Sequence, residues 1–340
     1  MFAQENAIFG IVAPAVHKLR KDLLSPLFSR RAVLGLEPLM QSKVDKFCIR
    51  LSERYDKGKA SNLFFGYASM AVDIINEFCY GRCPEGLEAL SDDTFESPLV
   101  MSTRHSINWT LWVYREFWWI RELVVNLPER LVNLFTPSNT WTVVMMNSLE
   151  NMVDDMLRNP SVCKESSHPT IFGRFLNCDV SGGQRLLLRE TLIQEAMGFI
   201  MAGSIELSSA LAYGTFHVLN DPKVHQRLIE ELVVAFPDPN NAVSFEILER
   251  LPYLTIVSTS AVYSHLDEFV YPGSNQFRPE RMAYMELYMA FANVFRRFDM
   301  TIHETTSGDF KWKEYFGPGF VGRPLHAFTK PRAEYRAGSH

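Results

Sequence analysis

The sequence predicts a mainly α-helical protein, and three observations carry that prediction. Residues 190–220 form an apolar stretch without proline, 31 residues long, which as a helix would extend roughly 46 Å. Residues 283–298 place Tyr284, Leu287, Tyr288, Phe291, Val294, Phe295 and Phe298 at helical spacing. A single clear alternation of apolar and polar residues, at Phe298, Met300 and Ile302, reads as a strand.

The 190–220 stretch is the centre of the prediction. Leu192, Ile193, Met197, Phe199, Ile200, Ile205, Leu207, Leu211, Phe216 and Leu219 fall on nearly every side of a helix. A helix apolar all round is either buried or membrane-spanning. Its longest uncharged run, Leu207 to Asn220, has 14 residues, short of the roughly 18 a span requires. A buried central helix is therefore expected. Asp221-Pro222 ends it and suits the cap and first turn of the next helix.

Composition narrows the function classes. The hydrophobic fraction of 47% is ample for a core. A net charge of −5 and the lack of a basic stripe give no reason to expect nucleic acid as a partner. The first residues lack the basic and apolar regions of a signal peptide. Five cysteines without regular spacing argue against a disulfide framework or a zinc site, and no metal ligand set is read.

Taken in order, 12–31 reads as a basic helix, with His17, Arg20 and Lys21 on one face. That face suits an anionic group or plain solvent. Helices come next at 39–55, 67–80 and 141–157, with a polar loop at 158–168. Residues 106–135 hold Trp109, Trp112, Trp118 and Trp119 among Arg104, Arg115 and Arg121. Such a segment can form core, line a ligand cavity, or make peripheral contact with a membrane. Further helices are read at 222–235 and from 245. Ser258 to Val262 reads as a short strand or bend, and 267–282 as irregular.

The order of motifs resembles a fungal member of the cytochrome P450 superfamily, the haem-thiolate monooxygenases. His17-Lys18-Leu19-Arg20-Lys21 with Leu27-Phe28-Ser29 is similar to the family's C helix. Ala202-Gly203-Ser204 is similar to the oxygen groove of its I helix, and Asp221-Pro222 to Leu232 to its J helix. Leu251-Pro252-Tyr253-Leu254-Thr255 resembles the opening of the K helix. Phe277-Arg278-Pro279-Glu280-Arg281-Met282 resembles the PERF/PERW element, and Ala283 to Asp299 the L helix and the residues just after it. The resemblance covers most of the chain as one domain, 1–340. It implies a P450-like helical fold with a long central I helix and little remaining β-sheet. It also implies haem as cofactor, a small apolar substrate in fungal secondary metabolism, and a redox partner. His17, Arg20, Ala202 and Gly203 become the candidate cofactor-binding residues. Family members are often anchored in the endoplasmic reticulum, and their N-terminal anchor and early helices have no counterpart here.

Two departures bear on activity. The family's K helix carries Glu-x-x-Arg, but here Val257 runs directly into Ser258. The family's iron ligand lies in a Phe-x-x-Gly-x-x-x-Cys-x-Gly loop before the L helix, but here Met282 runs directly into Ala283. No cysteine can be carried over as ligand; Cys79-Tyr80-Gly81 copies only the Cys-x-Gly spacing. Glu206 is displaced by one position from the family's acid, about 100° round the helix. Arg281, without its inherited partners, is expected exposed or re-paired. No catalytic residue is assigned, and the chain is expected inactive as a monooxygenase. Two alternatives stand beside this: a haem-free helical module binding a hydrophobic ligand or partner, and a gene-model fragment without function, both joins being excisions.

Overall fold

The structure, a computed structural model, describes residues 7–8, 10–81, 86–105, 117, 119, 138–177, 188–259, 280–314, 318–320 and 322–338. The expected architecture is present. Helix α1 (Pro14–Leu24) passes through a 3-10 turn (Ser25–Phe28) into α2 (Arg30–Leu34). Then come α3 (Glu37–Asp56), β1 (Ser61–Asn62), α4 (Leu63–Tyr80) and α5 (Pro98–His105). Helices α6 (Ser138–Arg158), α7 (Val162–Glu165) and α8 (Ile171–Asn177) precede the central helix α9 (Arg189–Asn220). Beyond it lie α10 (Pro222–Ala235), α11 (Phe245–Leu248), α12 (Pro252–Thr259) and α13 (Glu280–Arg297). The chain closes with β2 (Phe298–Ile302), β3 (Trp312–Glu314), β4 (Pro318–Phe320) and β5 (His326–Pro331).

Helix α9 is the one described helix long and apolar enough to cross a membrane by length and composition, yet most of it is buried inside the molecule. Its neighbours surround it. Helix α4 lies along it, and the Tyr67 hydroxyl meets the Thr215 hydroxyl at 3.1 Å, both buried. Helix α4 is buried over almost its whole length, which explains why its sequence is apolar beyond a single face. Asn62 caps its first turn by accepting from the Phe65 N–H at 3.4 Å. Gly81 ends it in the left-handed region at φ 73°, where a side chain would be strained. On another side of α9, Gly214 faces α13: a Cβ there would lie 2.6 Å from the Phe291 ring.

The described strands are few and short. β1, β5 and β2 form an antiparallel sheet with Asn62 opposite His326 and Ile302 opposite Ala327. β3 and β4 pair separately. Phe320 of that pair stacks on Tyr213, and Phe310 packs on Phe216, which seats this region on the C-terminal half of α9.

Polar contacts fix the C-terminal helices. Asp221 caps α10, accepting from the Lys223 and Val224 N–H groups at 2.9 and 3.2 Å. Glu231 on α10 caps α12 through the Tyr253 and Leu254 N–H groups at 2.9 and 2.8 Å. At the end of α13, buried Arg297 reaches Asp45 of α3 at 2.6 Å and the Pro239 carbonyl at 3.0 Å. Arg296 donates to the carbonyls of Phe236, Asp238, Pro239 and Asn241. Two guanidinium groups thus hold the 236–241 loop, where many charge-assisted bonds offset the cost of burying them.

Several boundaries differ from the sequence reading. The basic helix expected over 12–31 breaks at Ser25-Pro26, since proline lacks the N–H a continuing helix needs. The polar loop at 158–168 contains the short helix α7. Ser258 and Thr259, expected as strand or bend, continue α12, and Glu280 to Met282, expected irregular, open α13. Each join therefore lies within a helix, because neither 252–259 beyond its first residue nor 280–283 contains a proline or glycine to stop one. Of the aromatic-rich segment 106–135 only 117 and 119 are described; residues 260–279 and the Arg281 side chain lie outside the described residues.

Replacing Gly214 by alanine is expected to cost about 1–3 kcal/mol, because the Phe291 ring cannot withdraw from a packed core. A urea titration of G214A with an unchanged midpoint would contradict this packing.

Candidate functional site

Helices α1, α9 and α13 line an open-sided cavity of about 540 Å³, with Ile75 of α4 also in its wall. Each helix offers one face. His17, Lys21 and Leu24 recur at i, i+4 and i+7 on α1, and Phe28 comes after them in the 3-10 turn. Phe199, Ala202 and Gly203 share one side of α9. Met282, Ala283 and Glu286 do so at the start of α13. Gly203 also permits the close approach of α4, since a Cβ there would lie 3.1 Å from Ile75. Ile8 and Ile11 complete the wall from the N-terminal side.

Three of the four residues singled out in the sequence, His17, Ala202 and Gly203, therefore line one cavity. Arg20 does not. It sits about 60° round α1 from His17, at the edge of the lining face, and is buried in an ion pair with Glu195 of α9. The Ile8 N–H donates to the same carboxylate oxygen at 3.0 Å. Burial pushes the Glu195 carboxyl up, and the Ile8 N–H and Arg20 offset this only in part. The N-terminal segment, α1 and the central helix meet at this carboxylate. Glu206, the displaced acid, is exposed and outside the cavity lining.

The sequence reading passed over two acids. A carboxylate in a helix apolar on all sides needs a partner, which was the available signal for Glu195. Glu286 comes one turn after Met282, so it had to share that residue's surroundings. It is 5% exposed, and no hydrogen bond or ion pair to it occurs among the described residues. Burial alone pushes its carboxyl from an ordinary 4.5 up to about 8.

The walls would suit a flat apolar group with anionic arms, His17 and Lys21 standing on the α1 side. The described walls do not suit a thiolate-ligated haem, because no cysteine is among the described residues that line the cavity. Cys48, Cys79 and Cys163 are buried elsewhere, and burial pushes each thiol up, which disfavours the thiolate a metal requires. Cys83 and Cys178 lie outside the described residues.

Glu286 has a consequence for stability. Its folded-state pKa is raised, so between pH 4.5 and about 8 the unfolded chain loses this proton while the folded chain keeps it. Stability is expected to fall by about 1.4 kcal/mol per pH unit across that window and to level off above it. The ionisable groups sharing the cavity are His17 and Lys21 of α1; α9 contributes none. E286Q is expected to lose this component of the slope. Parallel stability–pH curves for the two proteins would show that Glu286 is not a buried neutral acid.

The cytochrome P450 family model matches residues 2–258. The chain is 28% identical to the cytochrome P450 monooxygenase macH of Penicillium terrestre, over 94% of this chain and 75% of that protein. It is 25% identical to the cytochrome P450 monooxygenase MO6277 of Ascocoryne sarcoides, over 89% and 73% respectively. It is also 25% identical to the tryptophan 6-hydroxylase fscE of Fusarium equiseti, over 90% and 72%. The macH alignment runs over 392 positions against the 340 residues of the chain, so at least 52 positions face no residue here. The family match ends at Ser258, the first residue beyond the first join. A match over more than half the chain, with relatives of the same kind over most of the remainder, makes this chain a member of the cytochrome P450 superfamily.

Proposed function

We propose that the chain derives from a haem-dependent monooxygenase that hydroxylates a small apolar metabolite, and that as written it does not carry out thiolate-type oxygen activation. One observation carries the reading: among the described residues, the cavity between α1, α9 and α13 has mainly apolar walls, with His17 and Lys21 on one side, and no cysteine. A thiolate ligand is what favours O–O cleavage at the iron, and no other described residue supplies one. The family match ending at Ser258 and the gapped alignments support the loss of internal segments. The names of two relatives, a tryptophan 6-hydroxylase and an N-acetyltryptophan 6-hydroxylase, support a small aromatic metabolite as the ancestral substrate class. A redox partner belongs to the same expectation.

Expressed with added haem, the reduced protein is expected to give no thiolate-type Soret band with carbon monoxide. A stable band of that type, lost on replacing any one cysteine, would falsify the reading. The DNA across Val257/Ser258 and Met282/Ala283 is expected to encode the Glu-x-x-Arg and cysteine-loop segments in an open frame. Neither join carries the glycine, asparagine or proline of an evolved turn. Contiguous DNA at both points would instead leave the short chain as the natural product.

A further inference from the structure

We propose that a small pocket on the C-terminal half of α9 binds a monatomic anion of chloride size, held by Arg104, Ser209 and Arg323. The pocket measures about 20 Å³ and shares no lining residue with the cavity between α1, α9 and α13. Its occupancy therefore does not depend on the haem chemistry proposed above. Ile205, Ser209 and Ala212 form its α9 side, at the i, i+4 and i+7 spacing of one helix face. Phe64 comes from α4 and Arg104 from α5, while Phe310, Phe320 and Arg323 come from the C-terminal segment.

Ser209 is the first pointer to a ligand. A serine inside a helix commonly bonds its hydroxyl to a carbonyl three or four residues earlier. Two neighbours do so: Ser204 donates to the Ile200 carbonyl at 2.6 Å and Ser208 to the Ile205 carbonyl at 2.9 Å. Ser209 is 4% exposed, makes no hydrogen bond among the described residues, and lines the pocket. A hydroxyl both donates and accepts, so alone it does not select charge. The arginines do. Arg104 lays its guanidinium over the Phe64 and Phe65 rings, 4.8 and 5.7 Å from their centroids. Guanidinium N–H groups lie in the plane of the group, so stacking directs them past the rings rather than into them. Arg323 pairs with the Glu304 carboxylate at 2.7 Å through one nitrogen, and a guanidinium carries five donors. No acid is among the described residues that line the pocket. Asp309 accepts from the Arg323 backbone N–H at 3.0 Å, but it is also held by Thr306 and stays outside the lining.

Size and charge then select the occupant. A volume near 20 Å³ takes about one water-sized group, which suits a halide and is too small for sulfate or phosphate. Most of the walls are apolar, so charge-assisted bonds to an anion are weakly screened and stronger than the neutral bonds a water would make. A bound halide would join α5 to the C-terminal segment across α9.

The test is chlorine NMR of chloride in the presence of the full chain, at constant ionic strength. Excess line broadening is expected, removed by bromide and not by an equal ionic strength of sulfate. S209A leaves the net charge unchanged and is expected to weaken chloride binding by about tenfold. R104M, which keeps an apolar stem on the rings, and R323M, at a half-exposed position, are each expected to weaken it by about tenfold or more. Circular dichroism of each variant checks the fold; alanine is well tolerated in a helix, so S209A decides the matter if an arginine variant fails to fold. Broadening unchanged in S209A would overturn the proposal, because loss in the arginine variants alone reports only long-range attraction. Sulfate displacing chloride as well as bromide does, or no excess broadening at all, would overturn it too.

Discussion

A helix that is apolar on every side needs neighbours on every side, and the packing of this molecule is set by that need. Helix α9 supplies the need, and α4, α6 and α13 are the surfaces that meet it. The contacts are close because small residues stand where helices cross. Gly203 admits Ile75, and Gly214 admits the Phe291 ring. Interiors packed to crystal-like density leave little freedom at such crossings. The crossing positions thus fix how α4 and α13 sit against α9, and so fix the walls of the cavity.

Within that frame, charge is distributed in two contrasting ways. Arg20 and Glu195 are removed from water together and are satisfied by each other and by the Ile8 N–H. Breaking such a pair strands a buried charge, so the N-terminal segment is tied to the central helix with some force. Glu286 is removed from water alone. One acid joins structural elements; the other remains open towards a space. A helix turn separates ordinary packing from available chemistry on both α1 and α13.

The fold was legible because its strongest signals are periodic and local. The central helix, α10 and α13 appear in the chain within one to three residues of their sequence-based limits. The arrangement of His17, Ala202 and Gly203 was legible only through the order of family motifs, since residues so far apart in sequence share no local pattern. The hidden part was tertiary. Arg20 looked equivalent to His17 on a helical face, and only the position of Glu195 turned it inward. Glu286 was not singled out, because its burial depends on the partners of α13. The joins looked like breaks in structure, whereas helix propensity is indifferent to any removed segment and carries the helices across.

The anchoring of the C-terminal helices extends this point to the chain's length. Glu231 holds the start of α12 through two backbone N–H groups. Arg296 and Arg297 hold the far end of α13 through the 236–241 loop and Asp45. The groups these anchors meet among the described residues are the Tyr253 and Leu254 N–H groups, carbonyls of the 236–241 loop and Asp45. Closure entropy grows only with the logarithm of the length spanned, about 0.6 kcal/mol per doubling. Longer or shorter forms of this polypeptide, differing between those two anchors, can therefore keep the same scaffold, so that loss of a catalytic segment does not entail loss of the fold.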